Sequence, residues 1–247
     1  AVEWEKMPCI NLINRLRDKW HYKNSADIVL QFDIQRTDEL FYGWNNDDKF
    51  GSSEGLDNLI QKANGIDVII GGPPCQAYSL AGRARDEHGM KKDYRNYLFE
   101  SFVKVVDHYK PKMFVFENVP GILSAAPGDR LVIERICEAF ENIGYAIRKP
   151  CDMKKSIYSA ADFQVPQERR RVIIVGVNKD SKLNVEDFYA SLDSFKSKEK
   201  KRTVRDAIGN MPKFRPLEKP CKKGNKNISH ELIGDVSIPL HKARYNN

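Results

Sequence analysis

The sequence predicts an α/β fold, with a largely parallel sheet and helices on both of its faces. Short runs rich in β-branched and aromatic residues alternate with stretches whose apolar residues recur at helical spacing. Such alternation is typical of βαβ units, whose strands run parallel. The chain has 247 residues, of which 41% are hydrophobic and 30% charged, and this is enough for a full globular core.

The first third of the chain is predicted to hold three strands and two helices. Cys9, Leu12 and Leu16 recur at the spacing of one helical face. A loop rich in Asn, Asp, Gly and Ser separates the second strand from the second helix. In order, the sequence predicts the end of a strand at 1–4, a helix to about residue 19, a strand at 26–32, a polar loop at 43–55, a helix at 56–63 and a buried strand at 67–70.

The later part of the chain continues this alternation and then becomes strongly charged. Asn96 is a suitable helix N-cap, and Gly144 ends an amphipathic stretch. The composition after Lys179 is typical of a solvated face or a linker. The predicted order is a polar loop at 79–93, a helix from 96 to about 109, a strand at 111–116, a helix at 130–143, strands from 145 and at 172–177, a short capped helix at 203–210 and a loop at 211–227.

The charge balance favours an anionic partner. The formal net charge is +7 and the pI is about 9.0, so nucleic acid is the first candidate. The five cysteines have no CxxC or Cys/His spacing, which indicates reduced thiols rather than disulfides or a metal site. No apolar run is long enough to span a membrane, and the sequence shows no signal peptide. We therefore expect a cytoplasmic protein without a metal or a membrane partner.

Polar side chains stand at the ends of three predicted strands. Cys75 and Glu117 each follow a strand, and Arg169 and Arg171 precede another. We expect the sheet to gather these side chains at one rim, where open α/β sheets bind their ligands. Taken alone, a cysteine after a strand is as often a small core residue as a nucleophile.

Together these residue types suit attack on an electron-poor heteroaromatic ring. A thiolate is a nucleophile, and neighbouring arginines lower the pKa of a thiol. A carboxylic acid can donate a proton or a hydrogen bond to a ring nitrogen, and an arginine can hold an exocyclic carbonyl oxygen. None of the five histidines stands in a recognisable pairing with Cys75, as a thiol hydrolase requires.

Three motifs occur in a fixed order along the chain: GGPPCQ at 71–76, ENVPG at 117–121 and QERRR at 167–171. In identity, order and spacing at strand ends they resemble the cytosine-C5 DNA methyltransferase family. The resemblance extends from residue 1 to about residue 210 and, more faintly, to residue 241. It implies a Rossmann-like, S-adenosylmethionine-dependent methyltransferase sheet that acts on cytosine in double-stranded DNA.

The resemblance implies a covalent mechanism at the three motifs. Cys75 is expected to add to C6 of a cytosine flipped out of the duplex, which makes C5 nucleophilic. Glu117 is expected to engage N3 and the amino group of the ring. Arg171, together with Arg169, is expected to hold the ring carbonyl. The C5 carbon then receives the methyl group of S-adenosylmethionine.

The same resemblance implies contacts around the flipped base. Pro74 is expected to shape the wall against the base, and Ser79 to touch the extruded backbone. Gln76, Asn118 and Gln167 complete the expected substrate-binding residues. The loop at 79–93 is expected to close over the DNA with its basic residues at phosphates.

The expected cofactor residues lie on the predicted strands before and around GGPPCQ. Glu3 stands where the family places the acid that binds the ribose hydroxyls, and Asp33 where it places the aspartate at the adenine amino group. Leu98 matches a residue that lines the cofactor pocket. Pro73 is also expected to contact the cofactor. Together with Pro74, it is expected to form the wall against the base.

The chain departs from the family pattern at both of its ends. The glycine-rich Phe-x-Gly-x-Gly motif is absent, and this motif normally lies on the first strand, in the middle of the family's sheet. A full target-recognition domain and the last motifs are absent as well. We expect residues 1–180 to form an incomplete catalytic domain and residues 181–247 a charged linker and the start of the recognition region. Missing segments or a second polypeptide are expected to complete the sheet.

Two other functions stay open at this point. One branch of the family acts on tRNA, so a tRNA cytosine-C5 methyltransferase is an alternative. The other is a non-catalytic DNA-binding subunit of a split enzyme, although the presence of Cys75, Glu117 and Arg171 weighs against a vestigial site. The compact chain favours a bacterial restriction-modification enzyme associated with the nucleoid.

Overall fold

A computed structural model describes residues 1–73, 98–126, 129–211, 213–223 and 226–233, and it confirms an α/β fold. The strands are β1 Val2–Glu3, β2 Leu30–Gln31, β3 Trp44–Asp47, β4 Gly51–Ser53, β5 Val68–Gly71, β6 Met113–Asn118, β7 Tyr145–Ile147, β8 Ile157–Ser159, β9 Arg170–Asn178, β10 Lys213–Lys223 and β11 Lys226–Ile233. The α-helices are α1 Lys6–Trp20, α2 Thr37–Tyr42, α3 Gly55–Lys62, α4 Leu98–Tyr109, α5 Val132–Asn142, α6 Val185–Ser194 and α7 Val204–Ile208.

The main sheet is mixed, so the prediction of a largely parallel sheet is wrong for its second half. Its order is β5-β6-β9-β7, with β8 also paired to β9. Strands β5 and β6 run parallel, whereas β9 is antiparallel to β6, β7 and β8. The physical reason is the connection between β8 and β9, which contains no long crossover helix such as parallel neighbours require.

A second, two-stranded parallel sheet is formed by β1 and β2. The segment predicted as a polar loop after β2 contains the antiparallel hairpin of β3 and β4. This hairpin is held by Trp44, whose ring stacks on Phe32 at a centroid distance of 3.8 Å. The polar composition concealed the hairpin because one buried aromatic residue anchors it.

Strand β5 lies at one end of the main sheet. Among the described strands it pairs with β6 alone. Ile69 is buried, but Ile70 is 74% exposed and Val68 is 38% exposed. The prediction of a fully buried strand is therefore wrong for these two residues, because their side of the strand is not covered by described residues.

The core under the main sheet is built from aromatic rings. Phe114 and Phe116 of β6 are fully buried on the face that meets α4 and α5. Phe114 stacks on Phe140 of α5 at 3.9 Å, and Phe102 of α4 contacts both rings of β6 edge-on. Packing of this kind fixes the position of β6 along its own axis and the direction in which its side chains point. Glu117 lies at the carboxyl end of this strand.

Tyr189 of α6 holds the middle of β9. Strand β8 covers Arg170 to Val172, and β7 covers Gly176 to Asn178, so neither strand pairs with the residues between them. The Tyr189 hydroxyl donates to the Ile173 carbonyl at 2.8 Å and accepts from the Val175 N–H at 3.2 Å. Burial raises the pKa of Tyr189, which keeps the hydroxyl protonated. The Tyr189 side chain thus makes the hydrogen bonds that a neighbouring strand would otherwise make with Ile173 and Val175.

The chain divides into two compact units, Ala1–Ser159 with Arg170–Phe195, and Ala160–Arg169 with Lys196–Asn247. The second unit contains the antiparallel pair β10 and β11, so the prediction of a loop at 211–227 is wrong. The short helix predicted after residue 203 is confirmed as α7, with a capping box between Thr203 and Asp206. None of the described helices combines the length and apolar character needed to cross a membrane.

The bridge made by Tyr189 leads to a stability prediction. We expect Tyr189→Phe to lower the free energy of unfolding by about 1 to 2 kcal/mol, because the buried Val175 N–H and Ile173 carbonyl lose their partner. Urea denaturation measures this loss. Tyr22→Phe removes a hydroxyl from a half-exposed ring and should change stability by less than about 0.5 kcal/mol. Equal effects of the two substitutions would contradict the role of the bridge.

Candidate active site

Glu117 lies at the carboxyl end of β6, on the face opposite the aromatic core. Side chains alternate along a strand, so the buried Phe114, Phe116 and Asn118 share one face and Glu117 lies on the other. Its side chain is 38% exposed. A carboxyl group at a strand end with solvent access is placed to meet a ligand rather than to pack.

Arg171 is brought to Glu117 by the antiparallel pairing of β9 with β6. Glu117 is directly opposite Ile173, so Arg171, two residues earlier on the same face, is its diagonal neighbour. The Nε atom of Arg171 lies 2.7 Å from Oε1 of Glu117. The arginine side chain is 23% exposed, so the ion pair borders solvent and a ligand can reach both groups.

The two glycines before the predicted nucleophile permit close packing against this pair. A Cβ on Gly72 would lie 3.1 Å from Oε2 of Glu117, and a Cβ on Gly71 would lie 2.4 Å from the Phe102 ring. Gly71 therefore allows β5 to rest on α4. Gly72 brings the backbone that leads to Cys75 alongside the carboxyl group of Glu117.

Asn118 fixes the same segment from the buried side. Its Nδ2 atom donates to the carbonyl oxygen of Pro73 at 3.2 Å, and its Oδ1 atom accepts from the Val119 N–H at 2.8 Å. The side chain is only 4% exposed. Asn118 was expected to bind substrate; its hydrogen bonds are with backbone, at Val119 and at Pro73, which is two residues before Cys75.

The predicted nucleophile and its neighbours lie outside the described residues. These are Pro74, Cys75, Gln76 and Ser79, together with the loop predicted at 79–93 and the N-cap predicted at Asn96. The buried thiols elsewhere are poor nucleophiles. Burial raises the pKa of Cys137 to about 12 and also raises the pKa of Cys9. Cys151 and Cys221 are exposed.

The predicted cofactor acids form a second group at the ends of β1 and β2. These strands are parallel, with Glu3 opposite Gln31 and Asp33 two residues further on. Glu3 Oε1 accepts from the Glu5 N–H at 3.0 Å, and Asp33 Oδ1 accepts from the Gln35 N–H at 2.9 Å. Each carboxylate is partly exposed and keeps acceptor capacity for hydroxyl or amino donors. Leu98 is buried at the start of α4.

Gln167 and Arg169 belong to the second compact unit, and both are exposed. Their segment is held by short-range backbone bonds. The Arg169 N–H donates to the Gln167 carbonyl at 2.9 Å, and the Arg169 carbonyl accepts from the Ala160 N–H at 3.0 Å. In the described part of the chain, no group of three or more His, Cys, Asp or Glu side chains is placed to hold a metal ion.

The arrangement around Glu117 is suited to a planar ring that carries both hydrogen-bond donors and acceptors. A carboxyl group can accept from an amino group and share a proton with a ring nitrogen, while a guanidinium binds a carbonyl oxygen. The two neighbouring acidic strand ends suit a ligand with hydroxyl and amino groups. An α/β sheet with these two groups of side chains is a candidate enzyme site for heterocyclic ligands.

Comparison with known proteins makes the assignment more specific. The family model for C-5 cytosine-specific DNA methylase matches residues 16–241, and the chain belongs to this family. The match includes all three motifs and every expected site residue except Glu3.

Curated relatives agree with the family. The chain is 44% identical over 206 residues to Type II methyltransferase M.Bpa9945I of Bacillus paralicheniformis, covering 80% of this chain and 45% of the relative. It is 35% identical to Type II methyltransferase M1.HphI of Haemophilus parahaemolyticus, covering 76% of this chain and 45% of the relative. The chain thus spans less than half the length of these relatives.

A solved structure shows the same fold. It is the crystal structure of an Escherichia coli prophage protein described as a DNA modification methyltransferase. The TM-score is 0.54 with 23% sequence identity, and the match covers 91% of this chain and 55% of that chain.

Sequence reasoning missed several residues that shape the site. It interpreted the two glycines as a sharp stop and did not foresee that Gly72 lies against Glu117. It did not foresee that Asn118 bonds to the Pro73 carbonyl and the Val119 N–H, although most buried amides have hydrogen-bond partners. It gave Tyr189 no role, and nothing local in the sequence marks the gap in β9 that this hydroxyl fills.

The contact between Asn118 and Pro73 predicts a measurable loss on truncation. We expect Asn118→Ala to lower the free energy of unfolding by about 1 to 3 kcal/mol, because the part-buried Pro73 carbonyl and Val119 N–H lose their partner. Chemical denaturation reports the change. The matched control is Asn142→Ala, an exposed position in α5, which should stay within about 0.5 kcal/mol of wild type.

Proposed function

We propose that this chain carries the catalytic site of a DNA cytosine-C5 methyltransferase that uses S-adenosylmethionine. The observation that carries the proposal is the ion pair of Glu117 with Arg171, 2.7 Å apart beside the backbone that leads to Cys75. Membership in the C-5 cytosine-specific DNA methylase family supports it. Type II methyltransferase relatives support a place in a bacterial restriction-modification system, in the cytoplasm at the nucleoid.

In the proposed reaction, the Cys75 thiolate forms a bond to C6 of cytosine. The C5–C6 π electron pair moves toward C5, and the negative charge is shared by C5, N3 and the oxygen of the ring carbonyl. Glu117 supplies a hydrogen bond or proton at N3 and accepts from the 4-amino group. Arg171, assisted by Arg169, holds the carbonyl oxygen and stabilises the developing charge. Loss of the C5 proton later expels Cys75 and restores the ring.

S-adenosylmethionine, when bound, supplies an electrophilic methyl group to C5. We assign its ribose hydroxyls to Glu3 and its adenine amino group to Asp33, because both carboxylates stand at neighbouring strand ends with acceptor capacity. Leu98 lines the apolar side of this pocket, and Pro73 separates it from the base. These residues orient the ligand and exclude water, and they take no part in proton transfer.

The target base has to leave the duplex before Cys75 can reach it. Unstacking costs a few kcal/mol, which contacts in the pocket must offset. We assign Pro74, Gln76 and Gln167 to the walls of that pocket and Ser79 to the extruded backbone. For Asn118 we propose a positioning role, in which its bond to the Pro73 carbonyl holds the Cys75 segment in register with Glu117.

We propose that residues 1–180 are catalytic and that residues 181–247 form a charged linker and the start of a target-recognition region. We also propose that a further strand, from another segment or from a second polypeptide, lies between β1 and β5. The separation of β1–β2 from the main sheet and the exposure of Ile70 support this placement. The same strand would supply the glycine-rich motif.

Covalent capture tests the proposed function. A duplex in which 5-fluorocytosine replaces cytosine throughout makes knowledge of the target sequence unnecessary. Fluorine cannot leave as a proton does, so the bond from sulfur to C6 persists after methyl transfer. We expect a denaturation-resistant adduct at Cys75 when the chain, with any completing polypeptide, meets this duplex and S-adenosylmethionine. Cys75→Ser should give none, whereas Cys151→Ser should behave as wild type.

The role of Arg171 is tested in the same assay. Arg171→Ala should slow adduct formation about 100- to 1,000-fold, because the developing charge on the ring loses a fixed donor. Arg170→Ala is the matched control, since alternation along β9 places residue 170 on the opposite face. Adduct formation at another cysteine, or capture of tRNA and not of DNA, would contradict the proposal.

The proposed additional strand predicts weak cofactor binding by residues 1–247 alone. The reason is that neighbouring strands leave backbone groups unpaired where the glycine-rich motif would lie. Isothermal titration of S-adenosylmethionine into the chain should show no micromolar binding. Addition of a polypeptide with the missing strand should restore it, and Glu3→Gln should weaken the restored binding. Clear micromolar binding by the chain alone would refute the need for the strand.

A further inference from the structure

Gln164 lies in a segment that carries two of the residues assigned to the base. The Ala160–Arg169 segment belongs to the second compact unit and contains Gln167 and Arg169. The Ala160 N–H donates to the Arg169 carbonyl at 3.0 Å, which joins the two ends of the segment. A segment closed only at its ends can still move as a whole. Bonds from its middle to other parts of the second unit are needed to hold it in one place.

The backbone of Gln164 has a conformation that glutamine adopts rarely. Its φ is 62°, in the left-handed region. Glycine enters this region without a steric penalty, and Asn, Asp and His are several-fold enriched there. A glutamine that holds this conformation is under local strain, and such strain persists where surrounding contacts impose it. The contacts of the Gln164 side chain are therefore the first place to look for the reason.

The Gln164 side chain joins the Ala160–Arg169 segment to a distant part of the same unit. Its Nε2 atom donates to Ser197 Oγ at 2.7 Å and to the Lys200 carbonyl at 3.3 Å. These acceptors lie 33 and 36 residues further along the chain. An amide nitrogen has two N–H donors, so both are used. We call this pair of hydrogen bonds the Gln164 tether.

The surrounding contacts place the acceptors of the tether. The Ser197 N–H donates to the Asp162 carbonyl at 2.8 Å, and the Ser197 Oγ also accepts from the Glu199 N–H at 3.1 Å. The Lys201 Nζ atom lies 2.7 Å from Asp162 Oδ1, but both side chains are largely open to solvent, where an ion pair contributes little. The tether is thus the side-chain contact that fixes the middle of the Ala160–Arg169 segment.

We propose that Gln164 is a positioning residue for the base-binding side chains of its segment. The tether holds the Ala160–Arg169 segment in the one arrangement from which Gln167 and Arg169 meet the flipped cytosine. Gln164 acts through these two residues and needs no contact with the base itself. The inference deepens the proposed function and rests on it. A small misplacement of a group that binds the reacting ring is costly, which is why such a support matters for the rate.

The test removes the two ends of the tether separately and together. Gln164→Gly deletes the amide and leaves the left-handed backbone favourable, and Ser197→Ala deletes one acceptor. The matched control is Asn64→Gly, which also replaces an amide side chain at a φ of 61°, in an exposed turn of the first unit. Thermal unfolding curves verify that the variants fold. Ser197→Ala tests the same bond without any change at the strained residue.

Hydrogen exchange followed by mass spectrometry measures the tether without substrate or cofactor. We expect peptides from the Ala160–Arg169 segment to exchange about 5- to 30-fold faster in Gln164→Gly, because local opening no longer breaks these bonds. The double variant should exchange no faster than Gln164→Gly, since both substitutions remove the same contact. Unchanged exchange in Gln164→Gly overturns the inference, and so does an equal increase in Asn64→Gly.

The rate of covalent capture shows whether the tether serves the chemistry. On fluorocytosine duplex with S-adenosylmethionine and any completing polypeptide, Gln164→Gly should lower the maximal rate of adduct formation about 5- to 30-fold. The duplex concentration that gives half of this rate should stay unchanged, because Gln167 and Arg169 meet the base only after it has left the duplex. Asn64→Gly should behave as wild type. Faster exchange with an unchanged maximal rate would leave Gln164 a stabilising residue only and would overturn the positioning role.

Failure of the inference and failure of the proposed function give different results. An adduct that forms equally fast in wild type and Gln164→Gly keeps the methyltransferase and overturns the role of Gln164. If wild type forms no adduct, the proposed chemistry fails, and the assignment of Gln164 to a base site fails with it. Hydrogen exchange then still decides whether the tether holds the segment.

Discussion

The antiparallel pairing of β9 with β6 is the constraint on which the candidate site depends. It sets Glu117 opposite Ile173 and places Arg171 on the same face as a diagonal neighbour. A slip of one residue would turn Arg171 to the other side of the sheet. The register is held by β7, β8 and the Tyr189 hydroxyl on one side, and by the buried aromatic side chains of β6 on the other. Elements far from the site thus decide whether acid and arginine meet.

Adjacent residues at the end of β6 have opposite tasks because side chains alternate along a strand. Asn118 points into the protein and is committed to the Pro73 carbonyl, whereas Glu117 points outward to Arg171 and solvent. Gly72 completes the arrangement, because any larger residue would press on the Glu117 carboxyl group. The buried Asn118 side chain therefore positions the backbone, and the accessible side chains of Glu117 and Arg171 present their charges to a ligand.

The sequence predicted the positions of β5 and β6 more reliably than the directions of the strands. Apolar runs that end at glycine, proline or a polar residue identify β5, β6 and the position of Glu117 by local chemistry. The direction of β9 relative to the sheet depends on which strand it pairs with, and its partner β6 is distant in sequence. No local pattern of residues carries that information. The β10–β11 pair was missed because Pro216 and Pro220 suggested a loop. A two-stranded hairpin has only edges, where proline is tolerated, and its register shifts between Pro216 and Cys221.

The edge of β5 that no described strand covers has a consequence for the handling of this polypeptide. A row of backbone amides and carbonyls next to an exposed isoleucine is a template on which a strand of another copy can grow. Such growth competes with any correct partner for the same groups, and it becomes faster as concentration rises. Association of copies through this edge is therefore expected to compete with correct completion of the sheet, however stable the aromatic core is.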